Sequence, residues 1–210
     1  MSLIVAVDGP GGAGKSTVSR LLAQRLGSAH LDTGAFYRAA TLAVLEAGVD
    51  PEDEGAVVSV IDGRVIDQVE GRTLLDGRDV SKEIRSDEVT GAVSVVSAHP
   101  EVRKRLVEAQ RRWVERAGNR AVVEGRDIGT VVFPNADLKV FLDADPAVRA
   151  ARRSGEIGSA VGDVKAALDR RDRLDSTRAT SPLRPADDAI VIDTTHLTID
   201  QVVDRISSFL

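Results

Sequence analysis

The sequence predicts an α/β domain of three layers, in which a mostly parallel sheet is covered by helices on both faces. Three observations carry that expectation. Residues 3–7 form a short continuous apolar run, as expected of a central strand buried on both faces, and residues 121–124, 138–142 and 189–192 read as further strands. Segments with apolar residues at helical spacing lie between them, so strand and helix alternate along the chain. The first run ends in Gly9-Pro10-Gly11-Gly12-Ala13-Gly14-Lys15-Ser16, the pattern G-x-x-x-x-G-K-[ST] set between a strand and a helix.

In that pattern glycines let backbone N–H groups converge on one concavity, and the helix that follows adds the positive end of its dipole. A triphosphate fits such a cradle. Gly9, Pro10, Gly11, Gly12, Ala13, Gly14, Lys15, Ser16 and Thr17 are therefore candidate ATP contacts. Lys15 is expected to reach the outer phosphates, and the Ser16 hydroxyl to ligate Mg²⁺ carried in as Mg-ATP.

Taken in order, Val18, Leu21, Leu22, Ala23 and Leu26 give the first helix its apolar face, and Gly27 stops it. A short strand around Leu31 leads to Asp32 or Thr33 as the cap of a second helix reaching Gly48. Residues 51–83 then break the rhythm. After a helix near 53–61, two short runs around Glu70-Gly71 read as a hairpin, with Asp76-Gly77 as a further turn. Helix resumes at Ser81 and is expected to continue past Val96 until His99-Pro100 interrupts it. In the next helix Val102, Leu106, Ala109 and Trp113 share one stripe, leaving Arg103 among the surface residues. Gly125-Arg126-Asp127 closes the strand at 121–124, and Pro146 opens an arginine-rich helical region split over residues 154–162. Thr198 caps the last helix.

Composition narrows the function. The chain has 210 residues, 42% of them apolar and 29% charged, which fits one folded domain over residues 1–210. Net charge is −5 and aromatics are 3%, so a binder of nucleic-acid polymer, which wants basic surplus and stacking rings, is not expected. Cysteine is absent, which removes thiolate metal sites and a cysteine nucleophile. No apolar run approaches a membrane span, and a cytoplasmic, monomeric enzyme is the expectation. Basic residues outnumber acidic ones between Arg149 and Arg178, a local surplus suited to a small polyanion.

A second anion site is legible in polar clusters. Arg126 and Asp127 stand at a strand's C-terminal end, where α/β sheets bind ligands. Arg126 can grip a phosphate and Asp127 can accept from an amino group; alternatively Asp127 is an ordinary helix cap. Arg171, Asp175 and Arg178 lie at i, i+4 and i+7, so they fall within roughly 60° of one another on one helix face. That face could bind phosphate, or could be a solvated ion-paired surface.

Four separated motifs now carry a resemblance. Asp8-Gly-Pro-Gly-Gly-Ala-Gly-Lys-Ser16, Leu31-Asp-Thr-Gly-Ala-Phe-Tyr-Arg38, Glu124-Gly-Arg-Asp-Ile-Gly-Thr-Val-Val-Phe-Pro134 and Arg170-Arg-Asp-Arg-Leu-Asp-Ser-Thr-Arg178 together resemble bacterial-type cytidylate kinase, a P-loop nucleoside monophosphate kinase. The resemblance implies the P-loop NTPase fold, with a small β-containing insert at about 63–82 and a short helical lid at about 149–175. It implies phosphorylation of CMP and dCMP by ATP. Thr33, Arg38, Ser94, Arg103, Arg126, Asp127, Arg171, Asp175 and Arg178 match the acceptor-nucleotide positions. Ser94, Arg103 and Asp127 would read cytosine, Arg171 and Asp175 the sugar hydroxyls, and Arg38, Arg126 and Arg178 the phosphate. Arg149 would contact ATP, and Arg152 and Arg153 would join Lys15, Arg126 and Arg178 in catalysis, without one lid arginine being singled out. A P-loop kinase for another monophosphate or a small metabolite, and a non-catalytic nucleotide switch, are the alternatives. The several arginines for an acceptor phosphate weigh against both.

Overall fold

In a computed structural model the chain is described at residues 2–158, 160–178 and 180–210. It divides into two compact units, one of residues 1–30 with 117–210, the other of residues 31–116. The alternation of strand and helix expected from the sequence belongs to the first. Its five-stranded sheet has the order β2-β6-β1-β7-β8, with β1 at Leu3–Asp8, β2 at Ala29–Asp32, β6 at Arg120–Gly125, β7 at Leu138–Asp143 and β8 at Ile190–Asp193. β1 pairs in parallel with β6 and β7, and β7 with β8. Val5, Ala6 and Val7 are fully buried because this central strand has a neighbour on each side and a layer on each face.

Helix α1, Lys15–Leu26, and helix α8, Ile199–Ser207, supply one of those layers. Val18 and Leu22 from α1 meet Val202, Val203 and Ile206 from α8 over Val5, Val7, Val140 and Leu142 of the sheet. Each such side chain contributes about 1.5–3 kcal/mol when fully buried. Thr198 caps α8, and a reciprocal bond from Gln201 completes the capping box. The arginine-rich region forms α6, Pro146–Ile157, and α7, Val161–Thr177. The break is shorter than the expected one at 154–162, since α6 runs on to a left-handed Gly158. Arg178 is also not helical: it is the extended C-cap of α7, so helical spacing does not set its direction.

The second unit holds α2, Thr33–Glu46, α3, Glu54–Ile61, a three-stranded antiparallel sheet and two further helices. Asp32 caps α2, its side chain accepting from Ala35 N. The sheet consists of β3, Ile66–Val69, β4, Arg72–Leu75, and β5, Arg78–Asp79, and lies where the insert is expected. The single helix expected from Ser81 is instead a 3-10 turn, Glu83–Arg85, followed by α4, Asp87–Val96. Ser86 separates them because its hydroxyl accepts from Val89 N and starts a new helix. In α5, Pro100–Arg116, the buried stripe is Val102, Leu106, Val107, Gln110 and Val114, with Arg103 inside it rather than on the surface. Among the described residues no helix is long and apolar enough to cross a membrane.

Candidate active site

The phosphate loop follows β1, and two of its glycines are dictated by neighbours. Gly9 has φ +146°, and a Cβ there would lie 2.0 Å from Leu142 O on β7. Gly12 has φ +75°, and a Cβ would meet Arg149 O of α6 at 2.7 Å. Any side chain at either position would push the loop off the sheet or off α6. Gly14 is the left-handed N-cap of α1, which turns the loop's amides into the helix start.

Lys15 donates its Nζ to Pro10 O at 2.7 Å, so the ammonium group folds back over the loop. Burial, with Arg126 nearby, lowers its pKa to about 7. Loss of water outweighs the attraction of Glu124 and Asp172 for this cation, a deficit that a phosphate's charge relieves.

Ser16 Oγ donates to Glu124 Oε2 at 2.7 Å, and Glu124 Oε1 lies 2.9 Å from His30 Nε2. A hydroxyl beside a buried carboxylate at the start of a phosphate-binding helix is a donor set that fits Mg²⁺. Among the described residues no cluster of three acidic or histidine side chains offers a fuller cage.

At the C-terminal end of β6, Arg126 donates Nε to Asp175 Oδ2 at 2.8 Å and another N–H to Gly9 O. It thus touches the phosphate loop and α7 together. Arg178 lies 3.6 Å from Asp175 and 3.9 Å from Asp127, and Arg171 lies 4.0 Å from Asp175. Burial pushes the Asp175 carboxyl up, but Arg126 and Arg171 more than offset it, and the net position is below the ordinary carboxylate value. Burial and Arg126 also bring Arg171 down to about 10. Asp127 is 3% exposed and is not the cap of a regular helix; a π-helical turn, Ile128–Val132, follows it. That turn is held by Asp8, whose two carboxylate oxygens accept from Ile128 N and Gly129 N at 2.8 Å each. Burial lifts the Asp8 pKa to about 6 despite those bonds.

The lid arginines divide. Arg149 donates to Gly11 O at 3.0 Å and to Asp172 Oδ2. Arg152 is tied to Thr194, through the hydroxyl at 3.1 Å and the carbonyl at 2.7 Å, and Arg153 pairs with Glu156 on the same helix. Of the three, Arg149 is the one bonded to the phosphate loop.

The remaining candidates lie in the second unit. Thr33 is buried at the first turn of α2, and Arg38, one turn on, donates to Ile84 O and Thr90 Oγ1 at 2.9 Å each. Arg103, 3% exposed, donates to Ser97 O at 3.1 Å and sits 5.1 Å from the centre of the Tyr37 ring. Ser94 is half-buried on α4. The inserted sheet braces these helices: Gln68 of β3 bonds both ways with the Asp32 backbone, and Trp113 of α5 donates to Gln68 O.

Sequence reasoning missed Asp8, Glu124, Gln68 and Asp172. Asp8 and Glu124 carried a usable signal, a lone acid at the end of an otherwise apolar strand. Gln68 and Asp172 carried none.

Comparison with known proteins agrees with this layout. Curated cytidylate kinases from Rhodococcus opacus and Rhodococcus jostii are 55% and 54% identical to the chain, covering 98% and 97% of it and 93% of each relative. A solved sugar kinase from a Janibacter species shares the fold, with a TM-score of 0.53 at 16% identity over 99% of this chain and 94% of that one. The sequence profile of the family described as cytidylate kinase matches residues 5–210. With its phosphate loop, buried arginine cluster and near-complete match to that profile, the chain belongs to the cytidylate kinase family.

Proposed function

We propose that the chain transfers the terminal phosphoryl group of Mg-ATP to CMP and dCMP, giving ADP with CDP or dCDP, as a monomeric cytoplasmic enzyme. The observation that carries this is Arg126, which bonds to the phosphate loop at Gly9 O and to Asp175 in the neighbouring arginine cluster. In-line transfer needs an acceptor phosphate held beside the donor's last phosphate, and Arg126 spans that distance.

In this reading Gly9, Pro10, Gly11, Gly12, Ala13, Gly14, Lys15, Ser16 and Thr17, with Arg149, hold ATP. Ser16 ligates Mg²⁺ beside Glu124, and the bound ion supplies charge neutralisation for the phosphates. Thr33, Arg38, Ser94, Arg103, Arg126, Asp127, Arg171, Asp175 and Arg178 take the acceptor nucleotide. An ionised oxygen of the acceptor phosphate attacks the terminal phosphorus. The bond from that phosphorus to the bridging oxygen breaks, and ADP leaves. The attacking oxygen has no proton to lose, so no general base is needed. Lys15 and a lid arginine, Arg152 or Arg153 once released from Thr194 or Glu156, meet the spreading charge, while Arg126 and Arg178 neutralise the acceptor phosphate. Residues 63–82 and 149–175 act as insert and lid of one kinase domain, closing to exclude water.

The test is ADP release from Mg-ATP with CMP, dCMP, UMP, AMP and GMP offered in turn. Strong release with CMP and dCMP, weaker with UMP and none with purines is expected. No acceptor-dependent release, with ATP still bound, would leave a nucleotide-binding protein that is not this kinase.

A further inference from the structure

Asp172 lies on α7, three residues before Asp175, yet it faces the phosphate loop. Its Oδ1 accepts from Gly11 N at 3.1 Å, and its Oδ2 accepts from Arg149, which also donates to Gly11 O. Arg126 NH2 lies 4.0 Å from Oδ1. The contact is close-packed as well as polar, since a Cβ on Gly11 would lie 2.7 Å from Leu168 of the same helix. The carboxylate is only 15% exposed. One anionic group therefore sits on a backbone amide of the phosphate loop, between two arginines. These are the partners a phosphoryl oxygen seeks there.

We propose that Asp172 is a positioning residue that stands in for a phosphoryl oxygen while the loop holds no nucleotide. It keeps Arg149 and the Gly11 amide in place, and it is exchanged for the ligand when the phosphate chain enters. A carboxylate oxygen and a phosphoryl oxygen cannot share the Gly11 N–H without like-charge repulsion, so the ligand has to displace the side chain. The Asp172 contact thereby lowers the affinity of any polyphosphate that reaches Gly11. Displacement also frees α7 from the loop and leaves Arg149 for the phosphates. This rests on the phosphate loop being the nucleotide site, and it goes beyond the assigned substrate contacts by giving the lid helix a competing anion.

The sign of one change decides the matter. Asp172→Asn and Asp172→Ala remove the competing charge, and Asp163→Asn removes an exposed charge from the first turn of the same helix. Binding of a non-hydrolysable ATP analogue and of inorganic tripolyphosphate is measured by calorimetry, with Tm and turnover alongside. Both Asp172 variants are expected to bind both probes roughly tenfold more tightly, the effect of losing one charge-assisted competing bond. Their ligand-free Tm falls, because Arg149 and the Gly11 amide lose their partner, while kcat at saturating nucleotide changes little, since the bound phosphates have already displaced Asp172; Asp163→Asn binds as the unaltered chain does. A merely structural Asp172 gives weaker binding when removed, so unchanged or weaker binding in folded variants overturns the proposal. If neither variant folds, the Asp172 carboxyl ¹³C resonance of the unaltered chain decides. It must move on adding tripolyphosphate, and a resonance that keeps its free-state position overturns the proposal. Failure of the unaltered chain to bind either probe would count against the nucleotide reading itself and take this proposal with it.

Discussion

The two candidate anion sites in the first unit are built in opposite ways. The phosphate loop is made of backbone: at Gly9, Gly11 and Gly12 the neighbours Leu142, Leu168 and Arg149 leave no room for a side chain, and Gly14 takes a left-handed conformation. The cluster at the end of β6 is made of side chains, with Arg126, Arg171 and Arg178 arranged around Asp175 and Asp127. A backbone site needs no counter-charge and keeps its shape through the sheet and α1. A side-chain site holds mutually repelling guanidiniums and keeps its shape only through its carboxylates. The two should therefore fail differently when a single charge is removed.

Lys15→Ala is the largest expected effect and leaves the backbone cradle standing. Turnover should fall on the order of a thousandfold, as when one preorganised donor to a developing charge is lost. Tm should hold or rise, because the alanine removes an ammonium group that burial disfavours. ADP release and thermal unfolding on the same preparation check both halves. Near-normal turnover would remove Lys15 from the mechanism.

Asp175→Asn breaks the side-chain site instead. It leaves three guanidiniums without their common carboxylate, and removing one partner of a buried ionic network costs about 3–5 kcal/mol. The loss should appear in Tm and in the KM for CMP, with a smaller change in the KM for ATP. The pH dependence has a definite sign. The Asp175 carboxyl lies below its ordinary value in the folded chain, so its stabilisation is present above the ordinary carboxylate range. It is lost as pH falls through the lowered value. Unfolding curves of variant and unaltered chain should accordingly differ at neutral pH and converge in strong acid. A constant gap at all pH values would mean that packing, not charge, is what Asp175 contributes.

The same contrast explains what could be read from the sequence. A backbone site is written locally: glycine spacing, the preceding apolar run and the following helix are contiguous, and Gly9 to Thr17 lie where the motif puts them. The α/β alternation was legible for the same reason, since Val5 and Val7 or Val18 and Leu22 announce their burial by period. The side-chain site was legible in part: Arg126-Asp127 at a strand end and the Arg171, Asp175 and Arg178 set could be read from position and spacing, whereas Thr33, Arg38, Ser94 and Arg103 came only through family resemblance. By periodicity Arg103 belongs with the solvated residues of α5, yet it is buried against Tyr37, because tertiary packing overrides the helical stripe. Helical spacing groups Arg178 with Asp175, and the two do meet, but Arg178 reaches Asp175 and Asp127 from an extended C-cap rather than from the helix face. Asp172 and Gly11 are 161 positions apart, and nothing local in either stretch pairs them.

The finest test of the contrast is the proton that Lys15 lacks. In the ligand-free chain its pKa is about 7, so near neutral pH a substantial share of molecules carries a neutral amine. Phosphates entering the backbone cradle favour the charged form and raise that pKa, so the complex holds more protons than the free chain at pH above 7. Binding must then take up protons, and affinity must fall as pH rises beyond 7, because an increasing share of free molecules has to be protonated first. Calorimetry of the ATP analogue at pH 8, in buffers of different ionisation enthalpy, should read an uptake of about half a proton or more, and Lys15→Ala should abolish it. Uptake that survives in Lys15→Ala would shift the coupled group to the ligand or to the side-chain site. The backbone cradle would then be binding phosphate with a lysine that was charged throughout.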